Sequence, residues 1–218
     1  GEGRYMGVPS VFLRTFGCNF TCSGFGMPKG EQSKEVDYVA AEVGKFLSYK
    51  ELPLVSTGCD SYASWDPRFK HLSPVLDTDS VADSLPYKEW KEEHLVITGG
   101  EPLLGWQRAY PDLLEHPKMR ALKEITFETN GTQDLTKEFK DYLERWGWGH
   151  SGNFDRQITF SVSPKLSVSG EKWDDAIKPE IVADYGMVGY VYLKFVVASQ
   201  EDADEAEKAV EAYRAAGF

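Results

Sequence analysis

Residues 95–102, LVITGGEP, run from four residues suited to a strand straight into two glycines, a carboxylate and a proline. An apolar run this short that ends abruptly in turn chemistry reads as a buried strand followed by a loop. The same design recurs along the chain, in PSVFLRTFG (9–17) leading to GCNFTC (17–22), in ITFETNGT (125–132), in ITFSVSPK (158–165) and in VYLKFVV (191–197). Strands are therefore expected at Val11–Phe16, Leu95–Thr98, Ile125–Glu128, Ile158–Val162 and Val191–Val197. Helical spacing fills the gaps at Val36–Tyr49 (Val36, Ala40, Val43, Leu47), Leu135–Trp146 with Asp134 as its cap, and Glu201–Ala216 with Gly217 after it. Strands alternating with helices predict an α/β fold with a parallel sheet. The polar motifs then fall at the carboxyl ends of the strands, the edge where such sheets bind ligands. Residues 66–94 read as a solvated connection without identifiable chemistry.

The composition bounds the possibilities. A chain of 218 residues, 41% hydrophobic and 27% charged, suits one domain (1–218) with a core that needs no disulfide staples. With 24 Lys+Arg against 35 Asp+Glu the net charge is −11, which repels a phosphate backbone, so no nucleic-acid partner is expected. No segment reads as a membrane span or secretion signal, which predicts a cytoplasmic protein with reduced thiols. Gly1 is not an initiator methionine and Phe218 follows directly on a helical stretch, so both native termini are expected to be missing.

The three cysteines are Cys18, Cys22 and Cys59. An odd number argues against a disulfide framework. Three thiolates on a [4Fe-4S] cubane leave one iron open to a substrate or cofactor. Three thiolates and a histidine instead make a structural zinc site, and plain core cysteines are the third reading. A compact cluster motif would read CxxxCxxC, with Phe25 where its third cysteine belongs. Cys59 is followed by Asp60, Ser61, Tyr62 and Trp65, so residues 23–58 read as an insertion inside the cluster-binding loop.

The other motifs add functional groups at neighbouring strand ends. In Thr98-Gly99-Gly100-Glu101-Pro102 the glycines let backbone approach a ligand, and Glu101 offers a charge to an ammonium group. Glu128 is suited to accept hydrogen bonds from ribose hydroxyls. Ser161, Ser163 and Lys165 supply hydroxyl and ammonium donors. Arg14 sits in an apolar strand, where burial demands an anionic partner, either a structural carboxylate or a substrate carboxylate.

Taken together, GEG (1–3), GVPSVFLRTFGCNFTC, CDSYASW, VITGGEPLL, FETNGT, SVSPK and LKFVV resemble the radical S-adenosylmethionine superfamily, and within it the 7-carboxy-7-deazaguanine synthase family of the queuosine and 7-deazapurine pathway. The resemblance implies a shortened (β/α)6 partial TIM barrel, a homodimer, and conversion of 6-carboxy-5,6,7,8-tetrahydropterin to 7-carboxy-7-deazaguanine by ring contraction with loss of ammonia. It implies that Cys18, Cys22 and Cys59 hold a [4Fe-4S] cluster. Gly99, Gly100, Glu101, Glu128, Ser161, Ser163 and Lys165 would face S-adenosylmethionine. Gly1, Glu2, Arg14 and Thr98 would contact the pterin, with Arg14 and Glu2 closest to the chemistry. Ser61 stands where the family commonly has the threonine that helps bind Mg2+. A flavodoxin or ferredoxin-type protein would supply the electron. The rivals are a glycyl-radical activase acting on a protein and a zinc or iron-sulfur module without catalysis.

Overall fold

The computed structural model describes residues 3–86, 90–148 and 156–218. Five strands form one parallel sheet in sequence order: β1 (Ser10–Thr15), β2 (His94–Gly99), β3 (Glu124–Thr129), β4 (Gln157–Val162) and β5 (Tyr190–Leu193). Each strand joins the sheet beside its predecessor and in the same direction, the progression of an opened barrel. The finer (β/α)6 count is not reached, since the described residues carry five strands.

Alternation sorts the side chains onto two faces. Leu95, Ile97, Ile125, Phe127, Ile158, Phe160 and Val162 point to the helix-covered face and are buried in the main core. That core closes against α3 (Tyr110–Leu114), α4 (Lys137–Trp148), α6 (Pro179–Tyr185) and α7 (Gln200–Ala215). Phe127, Phe160 and Tyr185 form a stacked row through it, with centroids 5.5 and 4.6 Å apart. The opposite face carries the polar residues of each strand, His94 and Thr98, Thr126 and Glu128, Thr159 and Ser161.

The helix boundaries follow local chemistry. Thr136, and not the expected Asp134, caps α4: its hydroxyl accepts from Phe139 N–H at 3.3 Å, while Asp134 offers its carbonyl to Gln107. Ser199 and Asp202 form a capping box at the start of α7, and Gly217 ends it at φ +97°. The helix expected over 36–49 is instead broken. α1 (Lys34–Ala41) is capped by Ser33 and is followed by separate 3-10 turns at Val43–Lys45 and Tyr49–Glu51. Gly44, about 1 kcal/mol poorer than alanine inside a helix, lies in the 3-10 turn just beyond the helix end at Ala41, and Leu47 is left 88% exposed.

Two further expectations are corrected. The segment 66–94 is not a featureless connection: a 3-10 helix at Pro67–Leu72 buries Phe69 completely, and α2 (Thr78–Ser84) buries Ala82. The last strand stops at Leu193 and not at Val197. Lys194 N–H still donates to Val162 O, but Pro164, which has no N–H, breaks the ladder on the β4 side, and Val196 and Val197 emerge 43% and 47% exposed.

The insertion builds a small core of its own, with Val36, Val39 and Ala40 of α1 packed on Tyr62, Ala63 and Phe69. α5 (Trp173–Ala176) lies just before α6. No helix among the described residues is long and apolar enough to cross a membrane.

Candidate active site

The strand register gathers the predicted residues into one row. Arg14 lies opposite Thr98, Ile97 opposite Phe127 carries the alignment to β3, Glu128 lies opposite Ser161, and Ser161 opposite Tyr192. Arg14, Thr98, Glu128, Ser161 and Tyr192 thus cross the carboxyl end of the sheet on the face away from the helices. Tyr192 was missed by the sequence reading. The signal was its place one residue before the end of a short strand, and it became legible only through pairing. Ser161 is 1% exposed and its hydroxyl has no hydrogen-bond partner among the described residues, an open donor and acceptor within the row.

The loop after β1 is held from several directions. Gly17 N–H donates to Ser64 O and Gly17 O accepts from Glu101 N–H, both at 2.7 Å. Thr21 N–H donates to Glu171 Oε1 and Ser23 N–H to Ser169 O. Asn19, between the first two cysteines, accepts from Asn130 Nδ2 at 2.9 Å and donates to Thr132 Oγ1 at 3.0 Å, a role its polar character inside GCNFTC foreshadows. The two glycines of TGGEP allow this packing. A Cβ on Gly99 would lie 2.2 Å from Thr15 O, and one on Gly100 2.3 Å from Gly17 O.

Cys59 reaches the same loop because the insertion closes on itself. Phe25 and Gly58 exchange two backbone hydrogen bonds of 2.8 Å, and Gly24 packs so tightly on Gly58 that a Cβ would lie 1.9 Å from its carbonyl carbon. Burial pushes the Cys18 thiol up to about 11 and the Cys22 thiol up to about 12; each also feels the charge of Cys59, while Lys165 pulls both downward. Phe20 N–H and Trp65 Nε1–H point at Cys18 Sγ and Cys59 Sγ, at 3.5 and 3.4 Å. Among the described residues no three His, Cys, Asp or Glu side chains are gathered for a single metal ion. One ion needs all its thiolates about 2.3 Å from one point, whereas a cubane distributes them over separate irons.

Glu101 is 0% exposed, and its carboxylate faces protein donors: Leu103 N–H and the Thr129 hydroxyl on Oε1, Asn130 N–H on Oε2. It staples the loop after β2 to the loop after β3. Burial raises its pKa against the pull of these bonds.

Arg14 departs from the premise that singled it out. It is exposed, because β1 is an edge strand, and no burial cost demands an anion. Its Nη1 donates to Ser61 Oγ at 3.0 Å and to Gly99 O at 3.3 Å, and Ser61 in turn donates to Asp60 Oδ1 at 3.2 Å. Lys165 Nζ donates to Ser163 Oγ at 3.3 Å. Gly1 and Glu2 lie outside the described residues. A crevice of about 430 Å3 reaches Cys59, lined also by Thr21, Val36, Asp37, Tyr62, Trp65 and Arg68.

No protein-family model and no solved structure matches the chain. It is similar to the 7-carboxy-7-deazaguanine synthase of Pyrobaculum aerophilum, 29% identical over 214 residues that cover 98% of this chain and 69% of that protein. The Halobacterium salinarum protein of the same name is 34% identical over 134 residues, 61% of this chain and 35% of that protein. The Buchnera aphidicola one is 28% identical over 135 residues, 61% of this chain and 50% of that protein. The chain therefore spans between about a third and two thirds of the length of these relatives. Five curated proteins carrying this one name match it, and the chain is related in sequence to the 7-carboxy-7-deazaguanine synthases, a family of enzymes.

Proposed function

We propose that the chain is the catalytic part of a radical S-adenosylmethionine enzyme that converts 6-carboxy-5,6,7,8-tetrahydropterin to 7-carboxy-7-deazaguanine. The observation that carries this is the row Arg14, Thr98, Glu128, Ser161 and Tyr192 at one sheet edge, beside the loop of Cys18 and Cys22 to which the Phe25–Gly58 pairing returns Cys59, in a chain whose curated relatives bear the name of that synthase.

The donor set fits the groups that this chemistry needs. Cys18, Cys22 and Cys59 would hold a [4Fe-4S] cluster, with Lys165 favouring the thiolates. The backbone at Gly99 and Gly100, the Glu128 carboxylate, the open Ser161 hydroxyl and the Ser163–Lys165 pair would hold S-adenosylmethionine. When bound, the cluster and S-adenosylmethionine supply hydrogen-atom abstraction. The chain's own part is positioning: Glu101 fixes the two loops against each other, and the packed glycines admit no slack between them. Arg14 would orient the pterin carboxylate, and Gly1, Glu2 and Thr98 would contact the rest of the pterin. Ser61, which gives its proton to Asp60 and one lone pair to Arg14, keeps a second lone pair for Mg2+, and Asp60 adds a hard oxygen beside it. A homodimer and an external flavodoxin or ferredoxin-type reductant complete the proposal.

The test uses anaerobic reconstitution with iron and sulfide, then S-adenosylmethionine and dithionite. Wild type should release 5′-deoxyadenosine and methionine, and Cys59→Ala should release neither. A wild-type chain that takes up one zinc, forms no cluster and leaves S-adenosylmethionine intact would instead support the structural-zinc reading.

A further inference from the structure

Trp65 follows the 3-10 turn Tyr62–Ser64, six residues after Cys59. Its backbone N–H closes that turn on Tyr62 O at 3.2 Å, and Ser64 O accepts from Gly17 N–H, so the turn is tied to the loop that bears Cys18. With the backbone fixed, the half-buried indole lies against Cys59 and Nε1–H donates to Sγ at 3.4 Å. Cys18 receives its N–H from the backbone of Phe20, so the contact to Cys59 is the one that a side-chain substitution can remove.

Hydrogen bonds to ligand sulfur are one of the levers that set an iron-sulfur potential. Reduction adds one electron from an external donor and takes the cluster from its 2+ to its 1+ state, which raises negative charge on the ligating sulfurs. An N–H aimed at such a sulfur stabilises the reduced state more than the oxidised one.

We propose that Trp65 is a positioning residue that raises the reduction potential of the cluster through its hydrogen bond to Cys59. The proposal rests on the cluster reading above. The indole also lines the crevice that reaches Cys59, so one side chain donates to the sulfur and forms part of the wall beside it.

The test compares the reconstituted full chain with Trp65→Phe, which keeps an aromatic ring and removes the donor, and with Trp106→Phe. Trp106 also anchors the cluster loop, through Nε1–H to Phe16 O at 2.9 Å, but does not touch sulfur. Mediated anaerobic titration, read from the electron paramagnetic resonance signal of the reduced cluster, should show a lower potential for Trp65→Phe alone. A tenfold lower reduced-to-oxidised ratio at fixed potential corresponds to a shift of about 59 mV for one electron. Equal potentials in wild type and Trp65→Phe, or the same fall in both variants, would overturn the role of Trp65 while leaving the cluster intact. Should Trp65→Phe retain no cluster, wild type grown with 15N-tryptophan decides by pulsed resonance: a nitrogen coupling to the cluster spin supports the bond, and its absence removes it. A wild type that forms no cluster under reconstitution overturns the cluster reading and this proposal together.

Discussion

Phe25 and Gly58 donate their backbone N–H groups to each other's carbonyl at 2.8 Å, so a long excursion of chain begins and ends at one point. This pairing returns Cys59 to the loop that bears Cys18 and Cys22, although Phe25 occupies the place of a third cysteine in a compact motif.

Breaking that closure should detach Cys59. Gly24→Ala combines left-handed strain at φ +81°, about 1–2 kcal/mol, with a Cβ inside the Gly58–Cys59 backbone. Gly30 has nearly the same φ, +80°, and open space around its Cβ position. Thermal unfolding and iron analysis after reconstitution should show that Gly30→Ala costs modest stability and keeps its iron. Gly24→Ala should lose more stability and most of its iron.

The buried Glu101 carboxylate accepts three hydrogen bonds from protein donors, so Glu101→Gln turns an amide N–H2 toward at least one of them. An opposed donor pair in this interior should cost about 1–3 kcal/mol. Denaturant unfolding reads the loss. Calorimetry with S-adenosylmethionine should show weaker binding, because the two loops are no longer held in register.

Ser161 should behave in the opposite way. Its hydroxyl is buried without a partner among the described residues, so Ser161→Ala should leave the unliganded protein equally stable or slightly more so. The same change should weaken S-adenosylmethionine binding about tenfold, roughly 1.4 kcal/mol. A stability loss comparable to the binding loss would mean that the hydroxyl serves the fold and not a ligand.

The sheet's amino end predicts a pH dependence. His94 is 1% exposed, stacked on Tyr5 at 3.9 Å and placed between the Ser10 and Thr126 hydroxyls. Burial lowers its pKa from 6.5 to about 4. The unfolded chain then binds the extra proton between these values, so the stabilisation is complete above pH 6.5 and is lost as pH falls toward 4. The full shift corresponds to about 3 kcal/mol. Urea unfolding of the apo protein at stepped pH should show this loss in wild type and a flatter profile in His94→Gln.

The strands and their polar carboxyl ends were legible because buried parallel strands are nearly continuous apolar runs that stop at glycine and proline. LVITGGEP and ITFETNGT announce both the element and its end. The break after Ala41, the return of the chain at Gly58 and the membership of Tyr192 in the row were not legible. Each depends on a contact between distant segments: the insertion's packing on Tyr62 and Phe69, the pairing with Phe25, and the register of β5 on β4. Arg14 shows the converse. Its apolar neighbours read as burial, but an edge strand leaves alternate side chains open, and the contacts to Ser61 and Gly99 O had no trace in local sequence.

The most direct measurement gives the anaerobically reconstituted protein 6-carboxy-5,6,7,8-tetrahydropterin, S-adenosylmethionine, dithionite and Mg2+, with products read by mass spectrometry. The account predicts 7-carboxy-7-deazaguanine from wild type, less of it from Arg14→Ala, and none from Cys59→Ala. An intact cluster that cleaves S-adenosylmethionine in the presence of the pterin yet yields no 7-carboxy-7-deazaguanine would contradict the assigned reaction.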